Sequence, residues 1–312
     1  MLVDTAPLRE DLAEAFAKAG IMTRGKTLSE VVSDWTTRQA IQAGDLPKHL
    51  LSRQALFRLQ KGQLLKKVDF GEIVNAQIQE LPFDGFRLEV VSGVHFTGSS
   101  AYKGGLKPNG RPAVVGLFEY NSDHPMTKQA ADHLVAHEAF PGHYTVAALT
   151  DLQVQADKLG FEATIGTMCT PQTVFQEGFA EIALELLYGG DRANVIEALG
   201  PGQAVEYALG ALEAAAKHNA SIHHQRDRVD IETLGGMLSK DYCLPPALVK
   251  KMSGAWAKHP IVGPMYGPAY WVGSETCQSA LQRYGMQRVI EVGFQSKGFV
   301  DLPAFVEKCQ GD

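Results

Sequence analysis

Cysteine is scarce in this chain: only four cysteines occur among 312 residues, and no two of them form a C-x-x-C pair. Four dispersed cysteines are too few for a disulfide framework, and a cysteine zinc site typically uses closely spaced pairs, so neither is expected. We therefore predict that Cys169, Cys243, Cys277 and Cys309 are unreactive free thiols of a reducing compartment.

Long apolar runs and blocks of positive charge are also missing. No apolar run approaches the ~18 residues of a membrane span, and residues 1–5 lack the basic and apolar pattern of a signal peptide. The 29 basic residues are scattered and the net charge is -6, which does not favour a nucleic-acid partner. We expect a cytoplasmic protein that binds neither membrane nor nucleic acid.

What is present is the composition of a folded globular protein, with 45% hydrophobic and 21% charged residues and no internal repeat. Helical spacing of apolar residues dominates residues 7–80. Residues 86–90 alternate with period two, 94–97 are β-prone, 107–110 form a turn with an Asn-Gly step, and 113–120 resemble a returning strand. These patterns predict one small, mainly antiparallel sheet between about 86 and 121.

The remainder of the chain again shows helical periodicity. The fold class predicted is mostly α (α+β), with a helical N-terminal segment over 1–80 and a catalytic body over 81–312, either as two parts or as one continuous domain. The helices predicted after the sheet cover about 126–140, 143–158, 172–188, 203–226, 231–240, 245–256, 269–284 and 301–309.

A cluster of histidines marks the segment that carries chemistry. His133, His137, Glu138 and His143 lie within eleven residues. A His-Glu pair on a helix, followed by another histidine, is typical of zinc hydrolases, because imidazoles bind the metal and the adjacent carboxylate activates water.

The spacing leaves two pairs of imidazole ligands open. His133 and His137 are separated by four residues and share one helix face. His137 and His143 are six apart, which on a continuous helix places them about 9 Å apart in rise. Pro141 and Gly142 would break that helix and could turn His143 back toward His137.

A third ligand is expected from a later helix. Glu177 and Glu181 lie one turn apart in otherwise apolar surroundings, where a carboxylate is costly unless it is paired or bound to metal. Glu177 is the candidate ligand, and Glu181 is as well explained as a solvated helix edge.

Several segments resemble, in order, the motifs of a bacterial family catalogued as domain of unknown function 885, whose members are regarded as zinc metallopeptidases. Residues 137–143 are similar to its H-E-x-x-P-G-H motif and residues 177–180 to its E-G-W-A motif, with Phe179 in place of Trp. Further similarity covers the strand at 118–121, a D-x-G-x-H-like segment at 219–223 and Y-x-x-G at 270–273. The resemblance implies a gluzincin-like helical fold.

The resemblance also implies the site. One Zn²⁺ per chain would be bound by His137, His143 and Glu177, leaving His133 outside the metal site. Glu138 would act as general base toward a zinc-activated water, with His223 and Tyr270 as candidate donors to the oxyanion.

The expected function is zinc-dependent hydrolysis of a peptide bond, and the expected partner is a peptide or small amide. The strand at 113–120 could hold an extended peptide by pairing with it. Two alternatives remain: a zinc-dependent amidase or esterase, and a zinc-stabilised scaffold without turnover.

Overall fold

The structure, a computed structural model, describes residues 1–80, 85–94, 98–110, 112–166, 168–295 and 301–311. This part of the chain is mostly helical with one three-stranded sheet, so the predicted fold class is confirmed. The predicted boundary at residue 81, and residues 95–97 of the β-prone stretch, lie outside the described residues.

Four helices precede the sheet and ten follow it in the described residues. The early helices and the strands are α1 (Ala6–Lys18), α2 (Leu28–Gln39), α3 (Leu46–Leu65), α4 (Glu72–Glu80), β1 (Phe86–Val91), β2 (Gly98–Lys103) and β3 (Val115–Asn121). The later helices are α5 (Lys128–Glu138), α6 (His143–Gln155), α7 (Pro171–Glu181), α8 (Ala183–Leu187), α9 (Arg192–Leu199), α10 (Gly202–Gln225), α11 (Ile231–Asp241), α12 (Pro246–Lys250), α13 (Gly267–Phe294) and α14 (Leu302–Gln310).

The predicted helices agree with these bounds to within a few residues, with three differences. The helix predicted over 172–188 is interrupted at Ile182, and the one over 245–256 continues beyond α12 as a π-helical turn, Lys251–Trp256. The helix predicted over 269–284 runs on to Phe294, past a non-helical Gly285 with φ of 78°. Glycine has no Cβ and adopts that conformation without strain, so the chain kinks there and continues.

The sheet is mixed rather than mainly antiparallel. Its order is β1-β3-β2, with β1 parallel to β3 and β2 antiparallel to β3. The turn at 107–110 lies between β2 and β3, as the Asn-Gly step predicts. Strand β1, however, pairs with β3 and not with its neighbour in sequence, which local patterning cannot specify.

This strand order also corrects the proposed peptide-pairing edge. Strand β3 is central and both of its edges are already paired, so it has no free edge for a peptide. Strands β1 and β2 are the two edge strands of the sheet, and Gly98–Tyr102 of β2 line the cavity described below.

Two hydrophobic cores hold the helices together. In one, Leu12 and Phe16 of α1 and Trp35 of α2 pack with Leu212 of α10 and Leu234 of α11. The other joins α3, α4, the sheet, α5–α9, α13 and α14. The helices of the first 80 residues are therefore divided between two cores that later helices complete, and the division at 80/81 stays a prediction.

All four cysteines are free, and three of them, Cys243, Cys277 and Cys309, are buried. Among the described residues, no helix combines the length and the apolar character that crossing a membrane requires.

Candidate active site

The helix that carries His137 breaks where the sequence predicts. Helix α5 ends at Glu138 and α6 begins at His143, with Pro141 and Gly142 between them. Proline cannot supply the N–H that a continuing helix needs, so the chain turns at this point. As a result the rings of His137 and His143 lie 4.7 Å apart between centroids, nearly perpendicular to each other.

Gly142 makes that tight turn possible. A Cβ at this position would overlap the carbonyl oxygen of His137, and the Gly142 N–H donates to the carbonyl of Ala136 at 2.9 Å. Any other side chain here would push α6, and His143 with it, away from α5.

Glu177 completes a group of three ligand atoms. Its Oε2 lies 3.5 Å from His137 Nε2, and its Oε1 lies 3.7 Å from His143 Nε2. The atoms that the three residues offer lie within 4.8 Å of one another. Glu177 is only 5% exposed, so its carboxylate is held among these imidazoles rather than solvated.

Two glycines allow α7, which carries Glu177, to lie directly against α13, which carries Tyr270. A Cβ on Gly178 of α7 would overlap the backbone of Gly273 of α13, and a Cβ on Gly273 would overlap the backbone of Val174. Because neither glycine has a side chain, the two helices approach backbone to backbone. The glycines that follow Glu177 and Tyr270 in the two motifs are therefore explained by packing.

The two tyrosines form a chain of hydrogen bonds to the ligand group. The Tyr266 hydroxyl donates to Glu177 Oε1 at 2.8 Å, and the Tyr270 hydroxyl donates to the Tyr266 hydroxyl at 3.1 Å. The predicted Tyr270 is thus brought to the site. Tyr266 was not predicted, and its position one helical turn before Tyr270 is the signal that could have found it.

A second group of possible ligands shares His137. His133 Nε2 lies 3.1 Å from Glu181 Oε2, and His137 Nδ1 lies 3.6 Å from Glu181 Oε1. The structure therefore brings together both of the histidine pairs that the sequence left open. One group uses the Nε2 atom of His137 and the other uses Nδ1.

The cavity distinguishes these two groups. Its volume is about 1210 Å³, and His137, Glu138, His143 and Glu177 line it, as does Tyr270. His133 and Glu181 are not among its lining residues. We call His137, His143 and Glu177 the cavity group and His133, His137 and Glu181 the inner group.

Charge is balanced within each group. Burial lowers the pKa of His143, but the surrounding carboxylates, Glu177 above all, together outweigh burial and raise this pKa to about 9. Burial alone would raise the pKa of Glu177, yet the imidazole of His143 holds it well below its usual range. Burial also lowers the pKa of His133, but nearby carboxylates, Glu181 above all, raise it to about 9.

Glu138 and His223 differ in their placement. Glu138 lines the cavity, and its buried Oε2 has no hydrogen-bond partner among the described residues. His223 is not among the cavity-lining residues, and its Nδ1 lies 3.3 Å from the carboxylate of Asp227. A catalytic role for His223 stays a prediction without a contact to support it.

The segment that contains His223 has a structural role at its other end. The Asn219 side chain accepts from the Val3 N–H and donates to the Val3 carbonyl, both at 2.8 Å. It thereby attaches the start of the chain to α10.

No protein-family model matches this chain. No curated protein matches it either. Two solved structures are similar in fold. One, described as a "putative lipoprotein" from Colwellia psychrerythraea, has a TM-score of 0.64 and 15% identity, over 99% of this chain and 52% of that one.

The other, a "putative lipoprotein of unknown function" from Shewanella oneidensis, has a TM-score of 0.63 and 11% identity, over 97% of this chain and 54% of that one. At these identities the likeness concerns the fold alone. The chain spans about half the length of each of these proteins.

Proposed function

We propose that this protein is a zinc-dependent hydrolase that cleaves peptide bonds, with the cavity group as the metal ligands. The observation that carries the proposal is that His137, His143 and Glu177 converge in a large cavity while Glu138 faces the same space. Two imidazoles and one carboxylate form a ligand set that catalytic zinc uses.

Unsatisfied polar atoms support the fit of a metal ion. Glu177 Oε2 is buried without a hydrogen-bond partner among the described residues, which is costly for a carboxylate. A divalent cation between Glu177 and the two imidazole Nε2 atoms would offset that cost. A bound zinc ion supplies Lewis acidity, which polarises a carbonyl and lowers the pKa of water.

The side chains around the ligands would handle protons and charge. Glu138 would accept a proton from the attacking water and deliver it to the leaving amine. Burial and the Glu177 carboxylate raise the pKa of Tyr270 well above its usual range, so its hydroxyl stays protonated. By turning from Tyr266 toward the substrate, that hydroxyl would donate to the developing oxyanion.

The inner group would orient the shared ligand instead of binding the catalytic metal. Glu181 lies 3.6 Å from His137 Nδ1, which can donate only if that nitrogen carries the proton. A proton on Nδ1 leaves the lone pair of Nε2 free for the metal. His133, at 3.1 Å, would hold Glu181 in turn.

Two other functions use the same geometry. An amidase or esterase would need the same side chains, because the cluster does not define the bond that is cut. A scaffold without turnover would bind metal but would not need Glu138, a buried carboxylate that faces the cavity beside the ligands. The placement of Glu138 favours catalysis.

The cytoplasmic location stays a prediction. The descriptions of the two structural neighbours give a reason to test it by fractionating cells that express the natural full-length protein.

The deciding experiment measures bound metal and turnover on the same samples. We expect one zinc per chain and cleavage of short unstructured peptides, offered together with simple amides and esters. Glu138→Gln should keep the zinc and lower the rate by about 10²–10⁴, because the amide cannot accept a proton. The exposed Glu197 provides the matched control, Glu197→Gln, which should keep both.

Zinc binding without turnover of any peptide, amide or ester between pH 5 and 9 would favour the scaffold. Turnover of esters or amides but not peptides would change the substrate class and leave the metal chemistry in place.

A further inference from the structure

Two lysines line the cavity together with the cavity group. Lys217 lies on α10 and Lys251 begins the π-helical turn Lys251–Trp256, so distant parts of the chain bring them to one wall. Lysine ammonium groups that face a catalytic cavity are candidates for binding a charged part of the substrate.

An aromatic platform holds both ammonium groups. The Nζ atoms of Lys217 and Lys251 lie 5.7 and 5.1 Å from the centre of the Trp256 ring, and Lys217 Nζ lies 3.9 Å from the centre of the Tyr270 ring. A cation over an aromatic face is attracted by the ring and loses side-chain freedom. The two charges are therefore fixed on one surface before any ligand arrives.

The same platform leads directly to the cavity group. Tyr270, under Lys217, donates to Tyr266, and Tyr266 donates to Glu177. Trp256 lies 5.7 Å from the Tyr266 ring and 6.0 Å from the Tyr270 ring, between centroids. The rings of Tyr266 and Tyr270 therefore lie between Lys217 and the proposed metal ligand Glu177.

The balance of charge at this wall is positive. Glu213 lies 3.1 Å from Lys217 Nζ, but it is not among the residues that line the cavity. Burial and the charge of Lys217 both lower the pKa of Lys251, although Glu213 opposes them, so Lys251 is partly desolvated and is repelled by Lys217. An anion bound between them would offset both costs.

We propose that Lys217 and Lys251 form a subsite for a carboxylate of the substrate, which places a negatively charged group beside the bond to be cut. This inference rests on the proposed hydrolase function. The carboxylate has two sources, the C-terminus of a peptide or an Asp or Glu side chain within it. A C-terminal carboxylate would make the enzyme act near chain ends.

The test uses the zinc-loaded Glu138→Gln protein, which should bind substrate without cleaving it, and measures affinity by calorimetry. Three probes separate the sources: N-acetyl-trialanine, its C-terminal amide, and the amide of N-acetyl-Ala-Glu-Ala. We expect the free acid to bind about tenfold tighter than its amide, since a hydrogen-bonded ion pair is lost with the charge. Tight binding of the third probe would identify the side chain as a source.

Substitutions then show whether the lysines are responsible. Lys217→Met and Lys251→Met keep an unbranched side chain of nearly the same length without the charge, and each should remove most of the preference for the charged probes. Lys217→Arg should retain it, and Lys250→Met, at an exposed neighbouring lysine, should leave it unchanged. Thermal unfolding of each variant confirms that it is folded.

Equal binding of all three probes, or a preference for the charged probes that survives both methionine substitutions, would overturn the subsite. A preference that survives them but disappears from metal-free protein would show that the carboxylate binds the metal instead. If the protein holds no zinc, the same titrations on metal-free protein still decide the role of the lysines, and only the hydrolase proposal fails.

Discussion

The cavity group and the inner group are made of the same residue types, two histidines and one glutamate, and they share His137. They differ in access. Glu177 and His143 line the cavity, whereas Glu181 and His133 do not. Composition and ligand distance therefore do not identify a catalytic metal site by themselves, because the neighbouring space decides which group can meet a substrate.

The largest effect expected is the loss of metal from the cavity group. His143→Ala removes a ligand, and we expect zinc content to fall from one per chain to near zero, with loss of turnover. Metal content is measured by elemental analysis after gel filtration. His133→Ala is the matched control and should keep its zinc; if it is the variant that loses metal while His143→Ala retains it, the two groups have been assigned the wrong way round.

A change on the cavity side should affect rate and not metal. Tyr270→Phe removes a hydroxyl with little change in volume, and we expect kcat to fall by about 10²–10³ because one oxyanion donor is lost. Steady-state kinetics and zinc content are measured together. Tyr284→Phe, on the same helix but not among the cavity-lining residues, is the control. An unchanged kcat in Tyr270→Phe would remove this residue from the mechanism.

A change in the inner group should weaken metal binding without abolishing it. Glu181→Gln removes the carboxylate near His137 Nδ1, and losing such a partner typically lowers metal affinity about 10–100-fold. Competition with a chelator of known affinity measures the change. An affinity loss as complete as that of Glu177→Gln would indicate that Glu181 is itself a ligand.

The smallest effect, taken for each pH unit, is the dependence of zinc affinity on pH. The pKa of His143 is raised to about 9, so below that pH the metal competes with a proton on this ring. Apparent zinc affinity should therefore fall about tenfold for each unit that the pH drops below 9, and level off above it. His143→Gln should bind zinc more weakly, and its affinity should no longer fall as the pH drops below 9. If the fall persists in this variant, the proton that competes with zinc is on another group.

Local chemistry in the sequence predicted the histidine cluster but left both histidine pairs open, and the family resemblance selected the cavity group. His137, Glu138 and His143 lie within seven residues, and the helix break at Pro141 and Gly142 follows from backbone sterics. Glu177 could be predicted as a ligand because a carboxylate in an apolar helix needs a partner. The helical class followed from the periodicity of apolar residues along most of the chain.

What the sequence could not predict depends on contacts between distant segments. The pairing of β1 with β3 is a choice among strand orders that all have the same local pattern. Tyr266 joins the site only because α7 and α13 touch, and Glu181 joins His133 to His137 because α7 packs beside α5. The contact of His223 with Asp227, by contrast, is local at four residues' separation, and a motif that assigns His223 to catalysis gives no information about it.

The contact between Gly178 and Gly273 has a consequence for engineering this protein. Replacing a glycine inside a helix by alanine is a standard way to raise thermal stability, since alanine favours the helix by about 1 kcal/mol. Both positions lie inside helices, and there the added methyl group would meet backbone atoms of the opposite helix. The usual stabilising exchange would separate α7 from α13 and carry Glu177 away from Tyr266, so a thermostability programme should leave these two glycines unchanged.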